Sequence, residues 1–115
     1  MHELSIALSL LDLAAEESRQ RNDARIAAIH LRLGPLAGVL KTALLSAFDL
    51  AREHSPFPAC TLLIEDVPVA IFCPTCQSEQ PVVSVQEIRC VTCGTLSPDI
   101  RHGRELLVSA MEICP

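Results

Sequence analysis

Cys73-Pro74-Thr75-Cys76 and Cys90-Val91-Thr92-Cys93 are two cysteine pairs with thirteen residues between them. Two residues between the sulfurs of each pair let a tight turn direct both thiolates at one ion, and two such turns supply the four ligands of a tetrahedral zinc site. Gly94 follows the second pair, where a residue with positive φ is often required. The stretch therefore predicts a zinc ribbon in the second half of the chain, with zinc as a structural ion.

The six cysteines of the chain could instead form a disulfide framework, which would need an oxidising compartment. The N-terminus lacks the basic start of a signal peptide, and no small-residue cleavage site follows a clean apolar core. We therefore expect a cytoplasmic protein with reduced cysteines. A zinc ion closed in by four thiolates has no open coordination position, so catalysis at this metal is not expected.

The charge and the aromatic content of the chain argue against two classes of partner. The net charge is −5 over 115 residues, and four thiolates holding one Zn²⁺ would bring it to about −7. Such a chain repels phosphate backbones, and its three aromatic residues offer few surfaces for base stacking. The longest apolar stretch, residues 4–15, contains two serines and an aspartate and is too short to span a membrane. We expect neither nucleic-acid binding nor membrane insertion.

Hydrophobic periodicity predicts two helices and several strands. The helices are expected at 3–21 and 39–52, and their predicted buried residues are Leu4, Ala7, Leu8, Leu11 and Ala14 in the first and Leu40, Ala43, Leu44, Ala47, Phe48 and Ala51 in the second. Alternating patterns predict strands at 26–33, 60–65, 82–88 and 105–113, of which the second could continue to Phe72. Residues 98–103 are expected to form a loop.

These elements predict an α+β fold, with two helices on a three-stranded mixed sheet and an inserted zinc-ribbon-like lobe. The last predicted strand is too apolar to stand alone in water and must return to the sheet, which makes the zinc lobe an insertion. The expected domains are residues 1–69 plus 104–115 for the α/β domain and residues 70–103 for the zinc-binding domain.

The first three residues offer a second group of metal donors. The Met1 amine, the amide nitrogens of His2 and Glu3 and the His2 imidazole lie within three residues. Their connectivity does not allow all four to share one plane, so a donor from elsewhere would complete a square-planar site. Square-planar nitrogen sites suit Ni(II) or Cu(II), and amide ionisation makes such binding pH-dependent. Considered alone, a histidine at position 2 is more often a solvated terminal residue than a ligand.

Six stretches taken together resemble a known family. They are Met1-His2-Glu3-Leu4-Ser5, Leu33-Gly34-Pro35-Leu36-Ala37-Gly38-Val39, Ser46-Ala47-Phe48, the two Cys-x-x-Cys pairs and Gly103-Arg104-Glu105-Leu106. In this combination the chain resembles the HypA/HybF family, the nickel metallochaperones of [NiFe]-hydrogenase maturation, over nearly its whole length. The opening tripeptide and the double cysteine motif are the most specific parts of the resemblance.

The resemblance implies a nickel metallochaperone and not an enzyme, with Ni²⁺ as the transported ion and Zn²⁺ as a structural ion. It implies nickel donors in Met1, His2 and Glu3, and zinc ligands in Cys73, Cys76, Cys90 and Cys93. The side chain of His2 would be the essential one for nickel. The α/β domain, residues 1–69 plus 104–115, would be the nickel-binding domain.

The resemblance also implies partners. They are a HypB-type GTPase, in whose contacts the Glu3 carboxylate would take part, and the precursor of the [NiFe]-hydrogenase large subunit. Some family members serve urease as well. The protein is expected to be a monomer or a weak homodimer. The alternative function is that of a zinc-ribbon protein-interaction module that transports no metal.

Some positions depart from the family pattern or are left unassigned by it. Residues 39–42 contain no carboxylate, and residues 77–89 contain no histidine, which puts a nickel donor from that loop in doubt. His102 is the remaining candidate for an extra nickel donor, although a loop histidine near a negative zinc centre also fits simple electrostatics. Cys60 is interpreted as a small hydrophobic residue of a strand and Cys114 as an exposed thiol, because neither has a second cysteine at the Cys-x-x-Cys spacing.

Overall fold

The computed structural model describes residues 2–114, which divide into two compact units. The helical unit combines the segment up to Leu31, the segment Val39–Glu65 and the segment from Leu107 onward. The cysteine unit combines Arg32–Gly38 with Asp66–Leu106. Each unit is thus built from segments that are separated in the sequence.

The described residues contain two α-helices, α1 (Glu3–Gln20) and α2 (Lys41–Arg52), close to the predicted bounds. Ala7, Leu10, Leu11 and Ala14 of α1 are buried, as are Leu44, Phe48 and Ala51 of α2. The prediction that Leu4, Leu8 and Leu40 are buried was therefore wrong. Leu4, Leu8 and Leu40 are 47%, 49% and 69% exposed, because the face of α1 that packs inward includes Leu10 in place of Leu4 and Leu8, and Leu40 precedes α2.

Seven strands lie within residues 2–114. They are β1 (Arg25–Leu33), β2 (Thr61–Asp66), β3 (Ala70–Cys73), β4 (Ser78–Ser84), β5 (Glu87–Cys90), β6 (Ile100–His102) and β7 (Leu106–Cys114). β2, β1 and β7 form a mixed three-stranded sheet in that order, so the last strand does return beside the first. The predicted α+β fold of two helices, a three-stranded mixed sheet and a separate cysteine-bearing lobe is confirmed.

The core of the helical unit forms between the two helices and one face of this sheet. Its buried residues are Ala7, Leu10, Leu11, Ala14, Ile26, Ile29, Leu31, Leu44, Phe48, Ala51, Phe57, Cys60 and Leu62. Cys60 is 1% exposed within this core, which agrees with its interpretation as a small hydrophobe. Burial also raises the pKa of the Cys60 thiol, so it stays protonated and unreactive.

The cysteine unit contains a four-stranded sheet in the order β5-β4-β3-β6, and its strands pair antiparallel. Two predictions were wrong here. The single strand expected at 82–88 is two strands, β4 and β5, that pair with each other after a turn at residues 85–86. The loop expected at 98–103 contains the short strand β6, which pairs with β3.

Two glycines bring two backbone segments of the cysteine unit into close contact. The amide of Gly34 donates to the carbonyl oxygen of Glu105 at 2.9 Å, and the amide of Leu36 donates to that of Gly103 at 2.8 Å. A Cβ atom on Gly34 would lie 2.1 Å from the Gly103 oxygen, so no larger residue fits without moving the backbone. Gly103 has φ +120°, a left-handed value that favours glycine.

Neither helix within residues 2–114 is long and apolar enough to cross a membrane.

Candidate metal centres

The four predicted zinc ligands come together at one point of the cysteine unit. The Sγ atoms of Cys73, Cys76, Cys90 and Cys93 all lie within 4.8 Å of one another, and they form the one such cluster among the described residues. The Cys73 and Cys93 sulfurs are 3.5 Å apart, and the Cys76 and Cys90 sulfurs are 3.8 Å apart. Four sulfurs at about 2.3 Å from a tetrahedral zinc ion are about 3.8 Å apart, so this arrangement fits zinc.

The two cysteine pairs occupy equivalent turns at the ends of two strands. Cys73 ends β3 and Cys90 ends β5, and the second cysteine of each pair lies in the turn that follows. Gln77 and Gly94, each directly after its pair, have φ values of 53° and 78°. In each turn this residue, in the left-handed backbone conformation, reverses the chain, so that the two sulfurs of the pair lie on the same side of the turn. The sequence indicated it for Gly94, whereas the one at Gln77 carries no residue-type signal.

The hydrogen bonds around the sulfurs favour negative charge at Cys93. Its sulfur lies 3.1 Å from the Thr95 hydroxyl, and this contact, together with the Thr95 amide, lowers the pKa of Cys93 to about 6. Contact with the Cys93 sulfur, burial, and contact with the sulfurs of Cys73 and Cys90 raise the pKa of Cys76 to about 12. Four sulfurs this close cannot all carry negative charge unless a cation compensates it. A divalent metal ion would supply the positive charge.

Two of the predicted N-terminal donors, His2 and Glu3, lie at the start of α1. His2 is the exposed residue before the helix, and within residues 2–114 its side chain makes no capping hydrogen bond. The carboxylate of Glu3 accepts a hydrogen bond from the amide of Leu40 at 3.2 Å, which lowers the pKa of Glu3. Met1 lies outside the described residues, so the predicted nickel donor set of Met1, His2 and Glu3 stays a prediction.

The contact between Glu3 and Leu40 has no counterpart in the sequence patterns. Leu40 is the residue before α2, and its amide is one of the N-terminal groups that have no partner within the helix. The Glu3 carboxylate thus stabilises the start of the second helix, although residues 39–42 contain no carboxylate of their own.

His102 lies on β6 and contacts two carboxylates from other parts of the cysteine unit. Its Nδ1 atom is 3.0 Å from Glu105, and its Nε2 atom is 3.6 Å from Glu79. Glu105 is three residues away and could have been suspected from the sequence. Glu79 lies in a different strand, and only the register of the sheet brings it near.

A family model described as "Hydrogenase/urease nickel incorporation, metallochaperone, hypA" matches residues 1–113 of this chain. The chain belongs to the HypA family. It is 42% identical over 112 residues to the "Hydrogenase maturation factor HypA" of Chloroflexus aurantiacus, covering 97% of this chain and 98% of that protein. The HypA of Chloroflexus aggregans is also 42% identical over 112 residues, with the same coverage of both chains.

A solved HypA structure has the same fold. The solution structure of the Ni metallochaperone HypA from Helicobacter pylori is 25% identical to this chain and superposes with a TM-score of 0.67, covering 98% of this chain and 97% of that one. Family membership confirms the resemblance seen in the sequence and makes this chain a hydrogenase maturation factor of the nickel metallochaperone family.

Proposed function

We propose that this protein binds one Ni(II) ion at Met1, His2 and Glu3 and delivers it to the precursor of the [NiFe]-hydrogenase large subunit. A HypB-type GTPase would be its partner in delivery, and a urease apoprotein is a second client to test, because the family model includes urease incorporation. Nickel is the cargo of this reaction, and no covalent chemistry is catalysed. The process takes place in the cytoplasm, where the cysteines stay reduced.

The exposed His2 side chain is the observation that carries this proposal. Its imidazole is exposed next to the first residue of α1 and has no capping role within the described residues, so it is available to an ion. The first amides of a helix have no acceptor in the helix itself, which leaves the Glu3 nitrogen available as a further donor. An exposed site also allows incoming ligands to attack the bound ion, which transfer between proteins requires.

The four cysteine sulfurs would hold a structural zinc ion. Their arrangement fits a tetrahedral ion, and all four positions would be filled by protein ligands, so the zinc would stabilise the cysteine unit and would not be transferred. We assign nickel binding to the domain of residues 1–69 plus 104–115 and zinc binding to the domain of residues 70–103.

A zinc-ribbon interaction module without metal transport is the alternative function. Its support is the exposure of apolar side chains on the cysteine unit, where Val83, Val91 and Leu96 are 54%, 55% and 62% exposed. Such residues suit a protein-binding surface. A module of this kind would not need an imidazole at position 2.

Titration of Ni²⁺ into untagged, zinc-loaded protein distinguishes these functions. His2→Ala should weaken the tightest nickel site by about 100-fold or more, because even the loss of outer-sphere partners costs 10–100-fold. The matched control is His54→Ala, which removes another exposed histidine of the helical unit. A third variant carries one extra residue before Met1. It should also lose tight nickel binding, because the N-terminal amine is then no longer that of Met1.

Zinc content and circular dichroism should be unchanged in all three proteins. Nickel affinity equal to that of the wild type in His2→Ala would refute N-terminal binding and leave the interaction module as the better account.

A further inference from the structure

A hydrogen bond joins the first residue of α1 to the residue that precedes α2. The carboxylate of Glu3 accepts from the amide of Leu40 at 3.2 Å, although 37 positions separate the two residues. Both residues belong to the helical unit. The bond therefore ties the segment that carries the predicted nickel donors to the start of the second helix.

The Leu40 amide needs a partner from outside its own helix. Leu40 is the N-cap of α2 and has no side-chain cap, and the first turn of α2 contains no acidic residue. Amides at the start of a helix have no acceptor in the helix itself, and they favour a nearby carboxylate. Glu3 supplies the carboxylate that residues 39–42 lack.

The backbone of Leu40 is held in place by the second helix. Its carbonyl oxygen accepts from the amide of Leu44 at 2.9 Å, and Leu44 is fully buried in the core of the helical unit. The Leu40 side chain is 69% exposed, and the contact with Glu3 is made by the backbone amide. A carboxylate that is bound to this amide is therefore held relative to the core.

On the other side, the contact acts on the first turn of α1. Glu3 is the first residue of that helix, and the end of a helix frays where few contacts hold it. The carbonyl oxygen of His2 accepts from the Ile6 amide at 3.2 Å, so the position of His2 also depends on this turn. A hydrogen bond that anchors Glu3 thus restrains both residues.

The Glu3 carboxylate also lies close to the amide nitrogen of its own residue, which is one of the predicted nickel donors. Hydrogen bonds from the Leu40 amide first, and from the Glu3 amide second, lower the pKa of this carboxylate. The group is therefore ionised at neutral pH, and its negative charge lies next to the nitrogen that would bind the ion.

We propose that Leu40 is a positioning residue for the N-terminal nickel site and acts through the Glu3 carboxylate. The hydrogen bond holds the first turn of α1, so that His2 and the Glu3 nitrogen are ordered before the ion arrives. Nickel binding then costs less conformational entropy, because fewer groups are ordered on binding. The inference rests on the proposed function and adds to it a residue of the second helix that does not itself touch the ion.

Leu40→Pro tests this role, because proline lacks the amide hydrogen. The φ of Leu40 is −83°, near the value of about −65° that proline imposes, and the carbonyl group that α2 uses is retained. Calorimetric titration of Ni²⁺ into untagged, zinc-loaded protein should show about 10-fold weaker binding at the tightest site, the lower end of the range for outer-sphere partners. Leu40→Ala is the matched control. It removes the exposed side chain but keeps the amide, so its nickel affinity should equal that of the wild type.

Two substitutions of Glu3 separate the hydrogen bond from the charge. Glutamine keeps an oxygen that can accept from the Leu40 amide, so Glu3→Gln should lose at most about 3-fold in nickel affinity, since one exposed charge contributes little. Glu3→Ala removes the acceptor and should lose about 10-fold, as Leu40→Pro does. Neither substitution removes the backbone nitrogen that is the predicted donor.

A double variant shows whether the two residues act through one bond. Glu3→Ala combined with Leu40→Pro should bind nickel no more weakly than either single variant, because both substitutions remove the same hydrogen bond. Without nickel, the Ile6 amide should exchange its hydrogen faster in both single variants, while circular dichroism stays that of the wild type. These results would place the effect in the first turn of α1 and not in the fold as a whole.

Wild-type nickel affinity in Leu40→Pro would overturn this inference, as would additive losses in the double variant. If Leu40→Pro does not fold, the comparison of Glu3→Ala with Glu3→Gln decides, and equal affinities of these two variants would overturn the inference. In each of these cases the proposed function stands, provided that His2→Ala has lost the tight site. Wild-type affinity in His2→Ala would instead refute the proposed function, and the positioning role of Leu40 with it.

Discussion

The pKa of the Glu105 carboxylate is set by its neighbours, although the residue lies in a connecting segment. Its pKa lies at about 2, below the ordinary 4.5, because it accepts hydrogen bonds first from His102 and then from the Gly103 amide. A carboxylate with a lowered pKa in the folded state stabilises that state above its ordinary pKa. This contribution is complete above about pH 4.5 and is lost as the pH falls through about 2.

At the scale of this residue, we predict that Glu105 stays ionised from neutral pH down to about pH 4. Between pH 7 and pH 4, the ¹³C chemical shift of the Glu105 carboxyl carbon should stay nearly constant, since the group does not take up a proton in that range. His102→Ala removes the hydrogen bond that lowers the pKa of Glu105 most, so the midpoint of its titration should move back towards 4.5. A wild-type midpoint near 4.5 would show that the hydrogen bonds to Glu105 do not form in solution.

At the scale of secondary structure, the segments around Gly34 and Gly103 lie too close for a side chain. Gly34→Ala would place Cβ 2.1 Å from a backbone oxygen, and backbone cannot move aside as a flexible side chain can. We expect it to lower the free energy of unfolding by about 3 kcal/mol, the upper part of the range for overpacking. Urea denaturation followed by circular dichroism measures this.

Gly38 provides the matched control for Gly34. It has φ +75°, but a Cβ there would meet no atom within 4 Å. Gly38→Ala should therefore cost only the left-handed backbone term of about 1–2 kcal/mol. Equal effects of the two substitutions would mean that a Cβ at Gly34 causes no clash, so that the two backbone segments do not approach this closely in solution.

The elements that could be predicted from the sequence are those in which a hydrophobic pattern repeats several times. α1, α2, β1, β2 and β7 each repeat a pattern over six or more residues, and their positions were predicted within about two residues. The short strands β5 and β6 have four and three residues, too few for a pattern, and β4 and β5 form a hairpin that was read as a single strand. Their pairing is decided by neighbours in the sheet, which local sequence does not encode.

The same distinction applies to the candidate sites. The cluster of four cysteines could be predicted because both turns are local and repeat the same spacing. The contacts of Glu3 with Leu40 and of Glu79 with His102 join residues that are 37 and 23 positions apart, and side-chain reach decides them. Spacing rules cannot find such pairs, because they depend on how strands and helices are brought together.

At the scale of the whole molecule, the two units differ in how much apolar material they bury. The core of the helical unit has 13 buried residues. The cysteine unit buries Leu33, Val67 and Val69 and has a separate core of three residues, Ile71, Cys73 and Cys90, with partly buried neighbours. Two of those three are proposed zinc ligands. We expect a unit with so small a core to depend on a bound zinc ion for stability, because a small core alone rarely offsets the entropy of ordering the chain.

Removal of zinc should therefore unfold the cysteine unit selectively. After treatment with a strong chelator, we expect amide hydrogen exchange to become fast in residues 70–102, while α1 and α2 keep most of their protection. Cys76→Ser should have the same effect, and Cys114→Ser should not, because Cys114 is outside the four-sulfur cluster. Uniform loss of protection in both units would show that they unfold together.

The order of segments along the chain has a consequence for biosynthesis. The polypeptide passes from one unit to the other four times, and β7, the edge strand beside β1, is made after every strand of the cysteine unit. On the ribosome, the cysteine turns are complete and available to the proposed zinc ion while the first sheet still lacks its last strand. Metal capture can thus precede closure of the domain that carries the N-terminus, and the unpaired edge of β1 stays exposed to chaperones until translation is nearly finished.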